Sequence, residues 1–84
     1  MSKLSDMPNI GSILEKLLID VDIESPERLK EIGSREAFTR IKVVDNSACL
    51  NKLYALEGAV QGMRWHSLSQ GCKDDLKEFF KSFS

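Results

Sequence analysis

The side chains able to do covalent or metal chemistry are few and scattered in this sequence. Its single histidine, His66, has no serine, cysteine or carboxylate at a spacing that would make it the base of a nucleophilic site. A metal site built from Cys49, His66 and Cys72 would lack both a close ligand pair and a fourth ligand. We therefore expect no enzyme activity, no metal and no cofactor.

The carboxylates do not form a convergent pair either. Asp74 and Asp75 are adjacent and so point to different faces of a helix, which argues against joint acid and base catalysis. Glu57 has apolar residues four positions before and three positions after it, and should therefore be partly buried. Because a buried carboxylate needs partners, we expect Arg64 or a backbone group near Trp65 to supply them. The predicted role of Glu57 is structural.

Contact with a phosphate is one chemistry that residues 4–18 allow. A short helix, the connection Met7-Pro8-Asn9-Ile10-Gly11 and a second helix form the pattern of a helix-hairpin-helix. Backbone N–H groups at the start of a helix can face an anion, and the candidate phosphate-facing residues are Asn9, Ile10, Gly11 and Ser12. Gly11 is predicted to be required because a close backbone approach leaves no room for a side chain. The alternative is a packing corner without a ligand.

The distribution of charge gives DNA little to bind. The formal net charge of −1 exerts no global attraction on a phosphate backbone. Residues 1–24 contain two basic and five acidic side chains, a balance that repels a duplex. Residues 28–42 contain five basic and two acidic side chains, for which a solvated helix face is the simpler interpretation. We expect DNA binding to be weak at most.

The elements that position these residues are all predicted to be helical. Apolar residues recur at spacings of three and four, and no alternating strand pattern occurs. Ser25-Pro26 and Ser69 are predicted helix starts, Gly33 is a predicted stop, and Ser34 is positioned to cap the helix that follows. The pattern predicts an all-α, compact domain of five to six helices, of helix-hairpin-helix type, formed as one unit by residues 1–84.

The predicted centre of this domain is a helix over residues 48–63. Its apolar stripe is formed by Cys49, Leu53, Leu56, Val60 and Met63. Leu53, Leu56 and Val60 should be among the most buried positions. The small residues Ala55, Gly58, Ala59 and Gly62 should let neighbouring helices approach closely.

Two further predictions follow from the apolar stripes. The helix after the hairpin is predicted to bury one face, formed by Ile10, Ile13, Leu14, Leu17 and Leu18. Both cysteines, Cys49 and Cys72, fall on apolar stripes and are predicted to be buried thiols.

Large apolar side chains are in excess near the C-terminal end. Phe79 and Phe83 share the stripe of the last helix, whereas Phe80 is displaced from Phe79 by about 100°. Trp65 lies in a connecting segment, where its ring can pack partly and still present an edge. Trp65 and Phe80 are therefore the candidate protein interface, and a homodimer is the simplest way to cover it. The alternative is that Trp65 covers the end of the core and Phe80 is a tolerated surface aromatic.

Three blocks of the sequence occur in the order found in a known family. They are Met7-Pro8-Asn9-Ile10-Gly11, Ser25-Pro26-Glu27-Arg28-Leu29 and Ala55-Leu56-Glu57-Gly58-Ala59-Val60-Gln61-Gly62-Met63-Arg64-Trp65. Together they resemble the C-terminal domain of the TfoX/Sxy competence-regulator family, over about residues 4–80. The resemblance implies a compact helical domain without enzyme activity, found in bacterial proteins linked to natural transformation and gene regulation.

The expected function is a non-enzymatic regulatory or interaction module that acts through a protein partner. The alternative is a weak, sequence-nonspecific contact between the hairpin and the DNA backbone. The N-terminal residues lack the apolar stretch of a signal peptide, and no segment approaches the ~20 apolar residues of a membrane span. We therefore expect a cytoplasmic protein that makes no contact with a membrane.

Overall fold

The computed structural model describes residues 3–83, and within this range every regular element is a helix. There are four α-helices: α1 (Ser12–Asp20), α2 (Pro26–Val44), α3 (Leu50–Gln61) and α4 (Gln70–Lys81). Single-turn 3-10 helices at Leu4–Asp6 and Trp65–Ser67 precede α1 and α4. The all-α prediction is confirmed. The predicted five to six helices and the helix-hairpin-helix type are not confirmed.

The difference in helix number arises at two places. The first predicted helix is only one turn long, and it ends at Met7, whose backbone is extended (φ −76°, ψ 149°) as is usual before a proline. Gly33 leaves helical geometry (φ 86°, ψ 164°), as expected of a stop. The helix resumes directly after it, however, so that α2 is one element with a bend at Gly33.

The helix starts predicted at Ser25-Pro26 and at Ser69 are confirmed, whereas Ser34 caps no helix. Ser25 Oγ accepts a hydrogen bond from the Arg28 N–H (3.1 Å), and Pro26 is the first residue of α2. Ser69 Oγ accepts one from the Cys72 N–H (3.1 Å) at the start of α4. The central helix is shorter than predicted, and it ends at Gly62, which takes the left-handed conformation (φ 75°) common at this position.

The core is built around α3, which packs against α2 and α4. Leu53 and Leu56 are completely buried, as predicted, whereas Val60 is only half-buried. The largest fully buried side chains come from all parts of the chain and are Phe38, Leu4, Leu18, Ile23, Leu29, Ile41, Leu53, Leu56 and Leu76. The N-terminal turn thus contributes to the core through Leu4.

Two predictions from the apolar stripes are wrong. Ile13 is 74% exposed although the neighbouring Leu14 is buried. The buried stripe of α1 is thus narrower than its set of apolar residues. Cys49 is exposed and Cys72 is half-buried. Because α3 begins at Leu50, Cys49 is its N-cap and not a member of its buried face.

The side chain of Asn9 joins the N-terminal segment to the C-terminal half of α3. Its Nδ2 donates to the carbonyls of Met63 (3.0 Å) and Ala55 (3.4 Å), and its Oδ1 accepts from the Trp65 N–H (3.2 Å). Asn9 itself has a φ of 70°, a left-handed conformation that asparagine adopts more readily than most residues. One carboxamide therefore fixes where the chain enters α1 relative to α3.

Gly58 provides the space for this side chain. An added Cβ at Gly58 would lie 2.5 Å from Asn9 Nδ2 and 2.8 Å from the Met63 carbonyl oxygen. At Gly11, a Cβ would meet no atom within 4 Å, and φ is −93°. The predicted close approach at Gly11 is therefore wrong. The close approach occurs at Gly58, where the neighbour is the hairpin asparagine and not a helix.

We expect Gly58→Ala to lower the free energy of unfolding by about 1–3 kcal/mol, because the new methyl group must displace the Asn9 amide or the Met63 carbonyl. Gly71→Ala is the matched control, since Gly71 is also helical but faces open space. Alanine's higher helix propensity should stabilise that variant by up to about 1 kcal/mol. Urea unfolding measures both. Equal stabilisation by the two substitutions would contradict the close approach.

Candidate interaction groove

A groove of about 480 Å³ lies between the first turn of α1 and the first turns of α3. Residues 11–14 line one side, and Cys49, Asn51, Lys52 and Ala55 line the other. Asn9 also lines it. The interaction that holds the hairpin against α3 therefore also fixes the separation of the two sides of the groove.

The groove has an apolar component that includes an exposed side chain. Ile13 is 74% exposed, whereas Leu14 and Ala55 are buried beside it. An aliphatic side chain that reaches solvent and lines a concave surface gives a ligand apolar area to bury and a defined shape to fit. The apolar periodicity of α1 predicts a buried Ile13, so this surface could not be predicted from the sequence.

Of the residues that the structure describes, Lys52 is the single charged one that lines the groove. Two helices also begin there without a side-chain cap, α1 after Gly11 and α3 after Cys49. The starts of helices carry partial positive charge. The polar character of the groove is therefore cationic.

Two carboxylates close in the chain to the groove residues have partners of their own. Glu15 Oε2 accepts a hydrogen bond from the Ser5 N–H (3.1 Å). Asp45 Oδ1 accepts bonds from the hydroxyl (2.5 Å) and the N–H (3.0 Å) of Ser47. The Ser47 hydroxyl, assisted by the Ser47 N–H and the charges of Lys52 and Lys42, holds the pKa of Asp45 below its ordinary value. Neither carboxylate lines the groove.

The four candidate phosphate-facing residues take different positions. Asn9 directs its carboxamide at α3, and Ile10 is buried with its N–H donating to the Met7 carbonyl (3.3 Å). Gly11 and Ser12 are exposed and line the groove. A phosphate contact at the hairpin stays a prediction, and the exposed residues that could make it are Gly11 and Ser12.

The two candidate interface aromatics, Trp65 and Phe80, are both half-buried and have different neighbours. The Trp65 ring stacks with Tyr54 (5.8 Å between ring centroids) and with His66 (3.9 Å). The Phe80 ring packs against the fully buried Phe38 at 5.9 Å. Among residues 3–83, no aromatic contact joins Trp65 to Phe80. A protein or homodimer interface at these rings stays a prediction.

Glu57 is half-buried and serves to join α2 to α3. The Ser34 hydroxyl donates to its Oε1 (2.5 Å), and Gln61 Nε2 donates to its Oε2. The expected partners were Arg64, which is exposed, or a backbone group near Trp65. The described hydrogen bonds of Glu57 come instead from Ser34 and Gln61. Ser34 follows the bend at Gly33 and is buried, so this contact ties the bend of α2 to the central helix.

Three of the five basic side chains of residues 28–42 are engaged within the protein. Arg28 pairs with Glu31 (3.0 Å) and Arg40 with Glu36 (3.0 Å). Lys42 Nζ donates to the backbone carbonyls of residues 46 (2.7 Å) and 48 (3.0 Å). These contacts are of a solvated helix face, where each ion pair adds little stability.

Within the part of the chain that the structure describes, no three histidine, cysteine or acidic side chains lie close enough together to hold a metal ion. None of the helices of residues 3–83 has the length and apolarity needed to cross a membrane.

Comparison with known proteins points to one family. The model of the TfoX C-terminal domain matches residues 1–80. The DNA transformation protein TfoX of Haemophilus influenzae is 33% identical over 76 residues, which cover 90% of this chain and 35% of that protein. Protein Sxy of Escherichia coli is 27% identical over 82 residues, which cover 98% of this chain and 39% of that protein. The chain thus spans little more than a third of the length of these curated relatives.

Solved structures with this fold come from Listeria monocytogenes. An uncharacterized protein in a triclinic crystal form has a TM-score of 0.95 and 53% sequence identity, covering 96% of this chain and 92% of that one. A protein of unknown function in a tetragonal form has a TM-score of 0.94 and 53% identity, covering 96% and 99%. The helical arrangement described above is therefore shared with experimentally determined structures.

Proposed function

Because the chain belongs to the TfoX C-terminal domain family, we propose that it is a non-enzymatic regulatory module that binds a protein partner through the groove between α1 and α3. One observation carries the proposal: Ile13 is 74% exposed and lines a concave surface of about 480 Å³. Scattered surface aliphatics are common and need no explanation. An aliphatic group beside a groove is different, because it lets a partner bury apolar area in a defined shape.

The proposed link to DNA transformation rests on the relatives. The Haemophilus influenzae relative is a DNA transformation protein, and this chain corresponds to 35% of it. Because the match covers 35% of that protein, we assign to this domain the binding of a partner and none of the relative's other activities. The partner is accordingly a protein of a competence or related regulatory system.

The distribution of cations favours a protein over DNA as the partner. The groove is lined by one cation, Lys52. Arg28 and Arg40 on α2 are paired with carboxylates, and Lys42 is bonded to backbone carbonyls. Duplex binding depends on several cations that are each free to neutralise a phosphate. Three of the five cations of residues 28–42 are thus already engaged within the protein.

We expect Ile13→Asp to weaken capture of the partner at least tenfold, since a buried aliphatic side chain contributes about 1.5–3 kcal/mol and tenfold corresponds to about 1.4 kcal/mol. The measurement is quantitative mass spectrometry of proteins retained from a lysate of the native host. Circular dichroism shows whether the fold is retained, as expected for a substitution at an exposed position.

Val43→Asp is the matched control for this experiment. Val43 is also β-branched and is 80% exposed, but it lies on α2 and does not line the groove. Partners that bind through the groove should be lost from the Ile13 variant and kept by the Val43 variant. Equal retention of every partner by wild type and both variants would refute the proposed binding surface.

For DNA, we expect binding to a random-sequence duplex no tighter than about 10⁻⁵ M at physiological salt, which is within the range of non-specific contacts. Fluorescence anisotropy across a salt series measures the affinity and the number of phosphates neutralised. A nanomolar dissociation constant would identify DNA as the partner and contradict the proposal.

A further inference from the structure

We infer that the groove binds an acidic, apolar segment of the partner, in which an aliphatic side chain lies next to a carboxylate. This inference rests on the proposed function and specifies the chemistry of its ligand. It is based on the charges that line the groove, the carboxylates that do not, and the aliphatic groups on its two sides.

The charge of the lining is positive. Among residues 3–83, Lys52 is the single charged residue there. Its side chain is half-buried, and the aliphatic stem of a lysine can add apolar surface to such a site. Among residues 3–83 the ion pairs are formed by Arg28, Arg40 and Lys81, and Lys52 is not among them. The Ser47 hydroxyl and N–H, and more weakly the charge of Lys52, lower the pKa of Asp45, a carboxylate that does not line the groove.

Backbone donors add to this charge on the side of α1. The first N–H of α1 with an acceptor is that of Glu15, which donates to the Gly11 carbonyl (2.9 Å). The N–H groups of residues 12–14 come before that of Glu15. Gly11, the N-cap, has no side chain that could accept a hydrogen bond from them. The first turn of α1, which lines the groove, thus supplements the charge of Lys52.

The acidic side chains of residues 1–24 are not part of the groove lining. The carboxylates of Asp6 and Glu15 accept hydrogen bonds from the N–H groups of Lys3 and Ser5. Asp20 is at the opposite end of α1 from Ser12, about 12 Å away at 1.5 Å per residue. This separation exceeds the Debye length of about 8 Å at physiological ionic strength. Asp22 and Glu24 follow Asp20 in the chain, beyond the end of α1.

The apolar residues that line the groove favour a ligand with an aliphatic side chain next to its carboxylate. Ile13 and Leu14 contribute from one side and Ala55 from the other. The groove has a volume of about 480 Å³ and is largely open to solvent, which suits a short extended segment better than an enclosed small molecule. A short stretch of a protein chain with one aliphatic and one acidic side chain fits both the size and the charge of the groove.

Three synthetic peptides of equal length test this inference. Each contains two leucines flanked by glutamate, by glutamine or by lysine, and each is titrated into ¹⁵N-labelled protein. The glutamate peptide should shift the amide signals of Gly11, Ser12 and Lys52 and bind at least tenfold more tightly than the lysine peptide. It should also slow alkylation of the exposed Cys49, which lines the groove, at least threefold relative to Cys72, which does not.

Reversing the charge of Lys52 tests whether the groove prefers an acidic peptide or binds any apolar peptide. Lys52→Glu should weaken the glutamate peptide at least tenfold. Lys16→Glu is the control, because Lys16 is exposed on α1 and does not line the groove. It should change the affinity less than twofold.

The outcomes distinguish this inference from the proposed function. Equal binding of the three peptides, or an unchanged affinity in Lys52→Glu, overturns the acidic ligand and leaves an apolar protein interface in place. If no peptide shifts the amide signals of the groove residues, the acidic ligand is overturned as well. The proposed function is then refuted only if Ile13→Asp also leaves partner capture unchanged.

Decanoate offers a carboxylate and an apolar chain without a peptide backbone. If it binds more tightly than the glutamate peptide, the occupant is a small amphipathic acid and not a protein segment.

Discussion

The arrangement of this domain depends on the carboxamide of Asn9. This group makes its bonds to residues 55, 63 and 65, far along the chain, and so closes the N-terminal segment onto the end of α3. A hydrogen bond contributes about 0.5–1.5 kcal/mol net, so the two shorter bonds contribute about 1–3 kcal/mol. That is a substantial share of the stability of a small domain, which is about 5–15 kcal/mol. The same bonds position residues 11–14 and therefore the α1 side of the groove.

Asparagine suits this position for two separate reasons. Its backbone takes a φ of 70°, which most side chains disfavour. Its amide also has a donor for the carbonyls of Met63 and Ala55 and an acceptor for the Trp65 N–H. Glycine would satisfy the first requirement without the second, and aspartate would place a carboxylate against two carbonyl oxygens. Gly58 completes the arrangement because any Cβ there would occupy the place of the amide.

Features that depend on neighbours in the chain were predictable from the sequence. The caps at Ser25 and Ser69 are set within three residues, and the burial of Leu53 and Leu56 follows from helical spacing. Features that depend on where separate segments of the chain meet could not be predicted from the sequence. Ile13 satisfies the apolar periodicity of α1 but lies beyond the width of the buried stripe. Ser34, expected as a cap, donates instead to Glu57 across the helix interface. The groove was invisible in the sequence because its two sides are more than thirty residues apart.

The most direct test of the role of Asn9 is the free energy of unfolding of Asn9→Gly, measured by urea denaturation against wild type. Glycine accepts a φ of 70° without strain, so relief of the backbone should offset much of its higher entropy in the unfolded chain. The loss of the carboxamide then dominates, and we expect stability to fall by about 1–3 kcal/mol. An Asn9→Gly variant as stable as wild type, or more stable, would contradict the claim that this side chain holds the domain together.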